Sequence, residues 1–290
     1  MKFAIAGVTG HTGRVAADLL LAQGHTVRVL VRDAAKGAAW AAKGAEVAIA
    51  DVSDGPSLTA ALTGVDAAWI LLPPNLGTGD FRAWQFATGR IVVDAIGAAK
   101  VPHVVLLSSV GAQHAAGTGP IAGIHPVEKG LAALPATGAS FVRAAYFMEN
   151  LLGNLGMLDQ GLYPSFSPAD AKMPMIATVD IGALAAKLLA GPAPKPGAPA
   201  IYELGGGPYS ASDVAGVLSA IKGQPIKVVE APVSAMAQTL QGFGFPPDIA
   251  ALYQEMTEGA AAGLVAYDGT GHPVAGTTSL ETFLRGALGA

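Results

Sequence analysis

The sequence predicts an α/β fold, a doubly wound parallel sheet with a second, smaller α/β lobe. Three observations carry that expectation. Short, almost wholly apolar runs alternate with segments of helical periodicity through the first half of the chain. A strand with no polar face is one that helices cover on both sides, as in parallel sheets. The first of these strands runs straight into a glycine loop and then a helix. Beyond the middle of the chain the regular alternation gives way to irregular stretches and scattered helices, the texture of a separate lobe.

Residues 2–7 read as the first strand, and Arg14 opens a helix over 14–23. Further strands are expected at 25–31, 46–50, 65–72, 104–107 and 140–144. Helices at 34–42, 57–62, 80–99 and 126–134 fill the gaps. Right-handed crossovers between such elements place ligands at the carboxyl ends of the strands. In the second half, 147–160 reads as a helix and 161–174 as irregular. A helix at 180–190, a strand at 201–204, helices at 212–221, 233–241 and 248–259, and a strand at 226–230 complete the pattern. Residues 191–199, rich in proline, read as a surface connection between lobes. The expected division is 1–155 with 176–206 for the nucleotide-binding domain, and 156–175 with 207–290 for the smaller substrate-binding lobe.

The loop between the first strand and helix is Gly7-Val8-Thr9-Gly10-His11-Thr12-Gly13. Strand, glycine loop and helix in that order form a dinucleotide-binding signature of Rossmann type. Gly7 allows the tight turn, Gly10 lets backbone N–H groups approach a pyrophosphate, and Gly13 lets the helix pack against the strand. Thr9, His11 and Thr12 complete the expected cofactor-binding loop. The helix N-terminus supplies unpaired N–H groups and a partial positive charge.

The second strand ends in Val31-Arg32-Asp33, with Lys36 one helical turn on. A carboxylate at this place suits the ribose hydroxyl of NAD, and an arginine suits the 2′-phosphate of NADP. Arg32 offers a planar fork and Lys36 a second charge. These residues favour NADPH. In the competing arrangement Asp33 binds a ribose, and NADH then serves.

Of 290 residues, 51% are hydrophobic and only 13% charged, with a net charge of −4. No Lys/Arg cluster occurs, which argues against nucleic acid and anionic membranes as partners. The chain has no cysteine, so disulfides and thiolate chemistry are excluded. The six histidines show no pair at metal-ligand spacing, and no metal is expected. The chain opens on a strand without a signal-peptide pattern, and the charge-free run 104–127 is broken by polar residues throughout. A cytoplasmic protein is expected, and its low charge is compatible with a homodimer.

Several segments together resemble the NmrA-like group of atypical short-chain dehydrogenase/reductases. They are the loop 7–13, whose Gly-x-x-Gly-x-x-Gly spacing is typical of that superfamily, and the runs 31–36, 44–51, 64–74, 107–111, 117–121 and Phe141-Val-Arg-Ala-Ala-Tyr-Phe-Met-Glu-Asn150. The chain is similar also to the NADPH-dependent quinone and dye reductases of that group. The resemblance implies a carboxylate, Asp51, against the adenine amino group. Asp51 could equally cap the helix that follows. Pro73 would run beside the nicotinamide ribose, or simply end the strand. Ser108 and Ser109 fall where the superfamily places its catalytic serine, although strand-end serines also satisfy backbone groups.

The superfamily's tyrosine, four residues before a lysine, is missing. The nearest analogue is His125 four residues before Lys129, on one helical face. An imidazole there could supply the proton, with Lys129 beneath it. Quinones need less acid assistance than ketones, because the reduced product is a resonance-stabilised phenolate. The expected function is therefore hydride transfer from NADPH to a quinone-like or other conjugated acceptor. The alternative is a non-catalytic NAD(P) redox sensor acting through a protein partner. Phe147 and Asn150, at the mouth of the cleft, suit a small aromatic substrate. Tyr163 and Phe166 are expected in a lid, and the glycine-rich run 111–119 is expected to move as a second one.

Overall fold

The computed structural model describes residues 1–290. Strands and helices alternate from the start: β1 (Lys2–Ile5), α1 (His11–Ala22), β2 (Thr26–Val31), α2 (Ala34–Ala42), β3 (Glu46–Ile49), α3 (Gly55–Leu62), β4 (Ala67–Ile70) and α4 (Phe81–Ala99). Then come β5 (His103–Ser109), a 3-10 turn at Gly119–Gly123, α5 (His125–Ala132) and β6 (Gly138–Ala144). The chain continues through β7 (Tyr146–Phe147), a 3-10 helix at Met148–Gln160, β8 (Leu162–Ser165), β9 (Met173–Ile176), α6 (Thr178–Ala190) and β10 (Ala200–Gly205). It ends with β11 (Pro208–Tyr209), α7 (Ala211–Lys222), β12 (Lys227–Glu230), a 3-10 turn at Val233–Ala235, α8 (Met236–Gly242), α9 (Pro247–Ala261), β13 (His272–Ala275) and α10 (Leu280–Leu288).

Eight parallel strands form the central sheet in the order β13-β10-β6-β5-β4-β1-β2-β3. The order reverses at β1 and β4, which opens a crevice above their carboxyl ends. Successive side chains alternate between two cores. Phe3, Ile5, Val27, Val29 and Trp69 face one core, under α1 and α6. Ala4, Ala6, Leu30, Ala68 and Ile70 face the other, under α3, α4 and α5. Both faces are apolar because both are covered, and that is why the strands read as continuous apolar runs.

The helix starts follow from capping. Asp33, Asp54 and Asp80 accept N–H bonds from Ala35, Ser57 and Ala83 at the heads of α2, α3 and α4. The smaller lobe has its own core of Met148, Leu151, Tyr163, Met175, Val214 and Leu218, among others. A three-stranded sheet, β11-β9-β7, and the pair β12-β8 frame it.

Four expectations are corrected here. Residues 207–290 do not all lie in the smaller lobe, because β13 is the edge strand of the central sheet beside β10. The stretch 147–160 is helical, but of the 3-10 type and preceded by β7. Gly153 and Gly156 weaken the α-helix there, and Met148 and Leu151 bury at a three-residue spacing. Within 161–174, β8 pairs with β12. The proline-rich stretch 191–199 joins α6 to β10 within the nucleotide-binding domain and bridges no lobes.

Candidate functional site

The carboxyl ends of β1, β2, β3 and β4 surround a cavity of about 250 Å³. Of the expected cofactor-binding residues, Gly7, Thr9, Arg32, Lys36, Asp51 and Pro73 line it, and Gly10, His11, Thr12, Gly13 and Ser108 do not. So does Trp84, on the first turn of α4, which no sequence motif marks.

The glycine loop forms the base of this cavity. Gly7 sits at φ +70°, and its carbonyl accepts the Gly10 N–H at 2.9 Å. An added Cβ at Gly13 would stand 2.5 Å from the Ala6 carbonyl oxygen, so only glycine lets α1 approach β1 this closely. Gly13 and Thr12 are buried, whereas Thr9, Gly10 and His11 are exposed at the loop tip. Unlike α2, α3 and α4, α1 begins with no side-chain cap, its N-cap being Gly10. Its first N–H groups therefore remain available to an anion.

Positive charge gathers at the far end of the cavity. Arg32 and Lys36 are exposed, and neither takes part in any of the eight salt bridges. Asp33 is occupied as the cap of α2, accepting from the Ala35 N–H at 2.9 Å. Asp51 does not cap α3, a role that Asp54 takes. Its Oδ1 accepts from the Ser53 N–H at 2.9 Å and the Ser53 hydroxyl at 2.7 Å. Burial works to raise the Asp51 carboxyl, but the two Ser53 bonds and the Arg32 charge outweigh it and hold it below the usual range. Asp51 is an anion with Oδ2 left for a donor.

At the carboxyl end of β5 the two serines part. Ser108 is 4% exposed and donates its hydroxyl to Glu128. Glu128 in turn pairs with Arg143, Oε2 to Nη2 at 2.8 Å and Oε1 to Nε at 3.1 Å. Arg143 also reaches Asp268 at 3.3 Å. Burial opposes the Arg143 charge, yet the Glu128 hydrogen bonds and charge, then Asp268, lift its pKa above the ordinary arginine value. The Ser108 hydroxyl is thus committed to this buried network and does not donate into the cleft. Ser109 is half-buried and donates to the Val110 carbonyl at 3.0 Å.

His125 is half-buried, and its Nδ1 donates to the Ala112 carbonyl at 2.9 Å. That bond fixes the ring and leaves Nε2 without a protein partner. Lys129 is exposed on the next turn. Phe147 is half-buried beside the sheet core, and Asn150 is exposed. Phe166 is half-buried just past β8. Tyr163 is only 3% exposed, packed in the core of the smaller lobe by the β8–β12 pairing, so it is no part of a lid. Tyr146, inside the 141–150 run but given no role from sequence, stands near Tyr163 and Tyr253 of α9. Burial first, then these neighbours, raise its phenol well above the ordinary tyrosine value.

The run 111–119 is not a free flap either. A Cβ at Gly119 would fall 2.0 Å from the Leu252 carbonyl oxygen, so α9 presses directly on this backbone. The Gly117 N–H donates to Glu255 at 2.9 Å, and Gln113 donates to the Ala266 carbonyl at 2.8 Å. The glycines serve close packing of two segments. No group of three side chains is placed to hold a metal ion, and no helix is long and apolar enough to cross a membrane.

The profile of the NmrA-like family matches residues 1–267, and the chain belongs to that family. The NAD(P)H azoreductase of Xenophilus azovorans is 27% identical over 254 residues, covering 87% of this chain and 85% of its own. Quinone oxidoreductase 2 of Escherichia coli is 27% identical over 268 residues, 90% of this chain and 88% of its own. A crystal structure of the NADPH-dependent quinone oxidoreductase QOR2 from Escherichia coli, complexed with NADPH, covers 99% of each chain at 25% identity and a TM-score of 0.82.

Proposed function

We propose that this protein is an NADPH-dependent oxidoreductase that passes a hydride to a quinone-like or other conjugated small-molecule acceptor. The observation that carries the reading is the cavity above β1–β4, where Gly7 and Thr9 of the glycine loop share one lining with Arg32 and Lys36, the loop leading directly into the uncapped α1. Loop 7–13 would hold the pyrophosphate, Arg32 and Lys36 the 2′-phosphate, and Asp51 the adenine amino group. Pro73 would lie beside the nicotinamide ribose. The names of the relatives, an azoreductase and a quinone oxidoreductase, support the acceptor class.

When bound, the nicotinamide supplies the hydride. The acceptor takes that hydride and one proton, so a quinone leaves as hydroquinone and the cofactor leaves oxidised. His125 presents Nε2 for proton delivery, its Nδ1–H anchored on Ala112. Lys129 on the same helix face and Ser109 at the strand end are the polar groups nearest that role in sequence. Phe147, Asn150 and Phe166 flank the acceptor, with Tyr163 supporting the lobe behind them. Proximity to the nicotinamide supplies most of the acceleration for an acceptor that is reduced to a stabilised phenolate.

The test is NADPH oxidation by the purified protein against quinones, azo dyes and conjugated ketones, with NADH in parallel. Turnover with NADPH above NADH supports the reading. Tight NADPH binding without turnover on any acceptor overturns the enzyme and leaves the redox sensor.

A further inference from the structure

The adenine end of the cavity has a wall that no motif accounts for. Trp84 lines the same space as Arg32, Lys36, Asp51 and Val52, but from α4, on the opposite side of the crevice. Its ring is half-buried. It packs on Phe81 with centroids 5.8 Å apart and planes inclined by 33°. Trp84 contributes to the cavity lining, and leaving a large apolar ring in water there is costly. A planar base lying across from Asp51 would cover it.

The ring is held in place before anything binds. Asp80 caps α4 through the Ala83 N–H at 2.9 Å. From α9, Asp248 accepts the Phe81 N–H at 2.8 Å, and Glu255 accepts from Arg82 at 3.1 Å. The first turn of α4 is therefore fixed at residues 81–83, directly before Trp84. The other two tryptophans cannot take this part, since Trp40 and Trp69 are 6% and 0% exposed in the sheet core.

We propose that Trp84 is the stacking wall for the purine base of the cofactor, facing the Asp51 carboxylate across the cavity. This rests on the cofactor reading given above. Asp51 then selects the exocyclic amino group, and Trp84 selects a flat heterocycle. Base–aromatic stacking is removed by truncation at a cost of about tenfold in affinity.

The probe is adenosine 2′,5′-bisphosphate, which has the base and the 2′-phosphate but no nicotinamide. Its affinity is measured by calorimetry, and tryptophan emission is followed in the same titration. Trp84→Ala is expected to weaken binding about tenfold, and Trp84→Phe by about two- to threefold, because a smaller ring still stacks. Emission of the unaltered protein is quenched by the probe, and the quench is lost in Trp84→Phe, where only the two core tryptophans report. Unchanged affinity in Trp84→Ala, or a quench that survives in Trp84→Phe, overturns the proposal. If NADPH binds and Arg32→Ala weakens it while Trp84→Ala does not, Trp84 alone has failed. If the unaltered protein binds neither NADPH nor the probe, the cofactor reading falls and this inference with it.

Discussion

Removing the Glu128 carboxylate tests the buried network at the end of β5. Glu128 and Arg143 are each 6% exposed and share two hydrogen bonds at 2.8 and 3.1 Å. Breaking such a pair from one side costs about 3–5 kcal/mol, because the surviving charge stays buried. Two features adjust that figure in opposite directions. Asp268 remains within 3.3 Å of Arg143 and offsets part of the loss. The Ser108 hydroxyl loses its acceptor, which costs about 1 kcal/mol more. Glu128→Ala should therefore lower stability by about 3–4 kcal/mol, read as a shift in urea midpoint at unchanged m-value. Replacing both partners, as in Glu128→Leu with Arg143→Met, removes both charges and should recover most of the loss. A loss under about 1 kcal/mol in the single variant would refute the argument. So would a double variant as unstable as Glu128→Ala.

Four further outcomes follow from the geometry. Arg32→Ala should weaken NADPH binding about tenfold or more by calorimetry and leave NADH unchanged, since a charge-assisted bond to phosphate is worth about 1.5–3 kcal/mol. Gly13→Ala should cost at least about 2 kcal/mol in urea unfolding, because its Cβ would meet the Ala6 carbonyl at 2.5 Å, and NADPH binding should weaken with it. Burial holds the His103 imidazole down at about 4, so the folded state accepts only the neutral ring. That contribution is complete above about pH 6.5 and is lost as pH falls from there to about 4, to a total of about 3 kcal/mol. His103→Gln should flatten the stability profile in that window, and an equally steep profile in the variant would count against it. His125→Ala should lower kcat about a hundredfold on conjugated ketones and much less on quinones, and equal rates on both would remove His125 from proton delivery.

The nucleotide-binding half was legible because its physics is local. Residues 2–31 announce a strand, a glycine loop, a helix and a second strand in that order, although α1 opens at His11, three residues before the expected Arg14, and takes Thr12 and Gly13 into its first turn. The edges of the fold were not. β13 has the sequence His-Pro-Val-Ala, four residues whose strand character comes from pairing with β10. Trp84 reads as one more apolar residue of an amphipathic helix, and its place at the cavity depends on how α4 crosses the sheet. The glycines of 111–119 signalled freedom when read alone. Their reason is the backbone of α9, more than a hundred residues further on. Tyr163 was misplaced in the same way, because β12, which buries it, is remote in sequence.

The structure divides the serine–tyrosine–lysine machinery of the wider superfamily unequally. The tyrosine is absent from the sequence, and the first strand-end serine is spent on Glu128. What survives intact is the cofactor end: the glycine loop, the uncapped α1, and the cations past β2. Such a site can position a hydride donor but has little to stabilise a strongly basic alkoxide. Under the proposed function, its acceptors would be those that spread the incoming electron pair over their own conjugated system. The rate on a series of quinones should then track the acceptor's own reduction potential and depend only weakly on pH. A rate on quinones that instead rises steeply as pH falls would mean that proton delivery limits that reaction and that this account of quinone reduction is wrong.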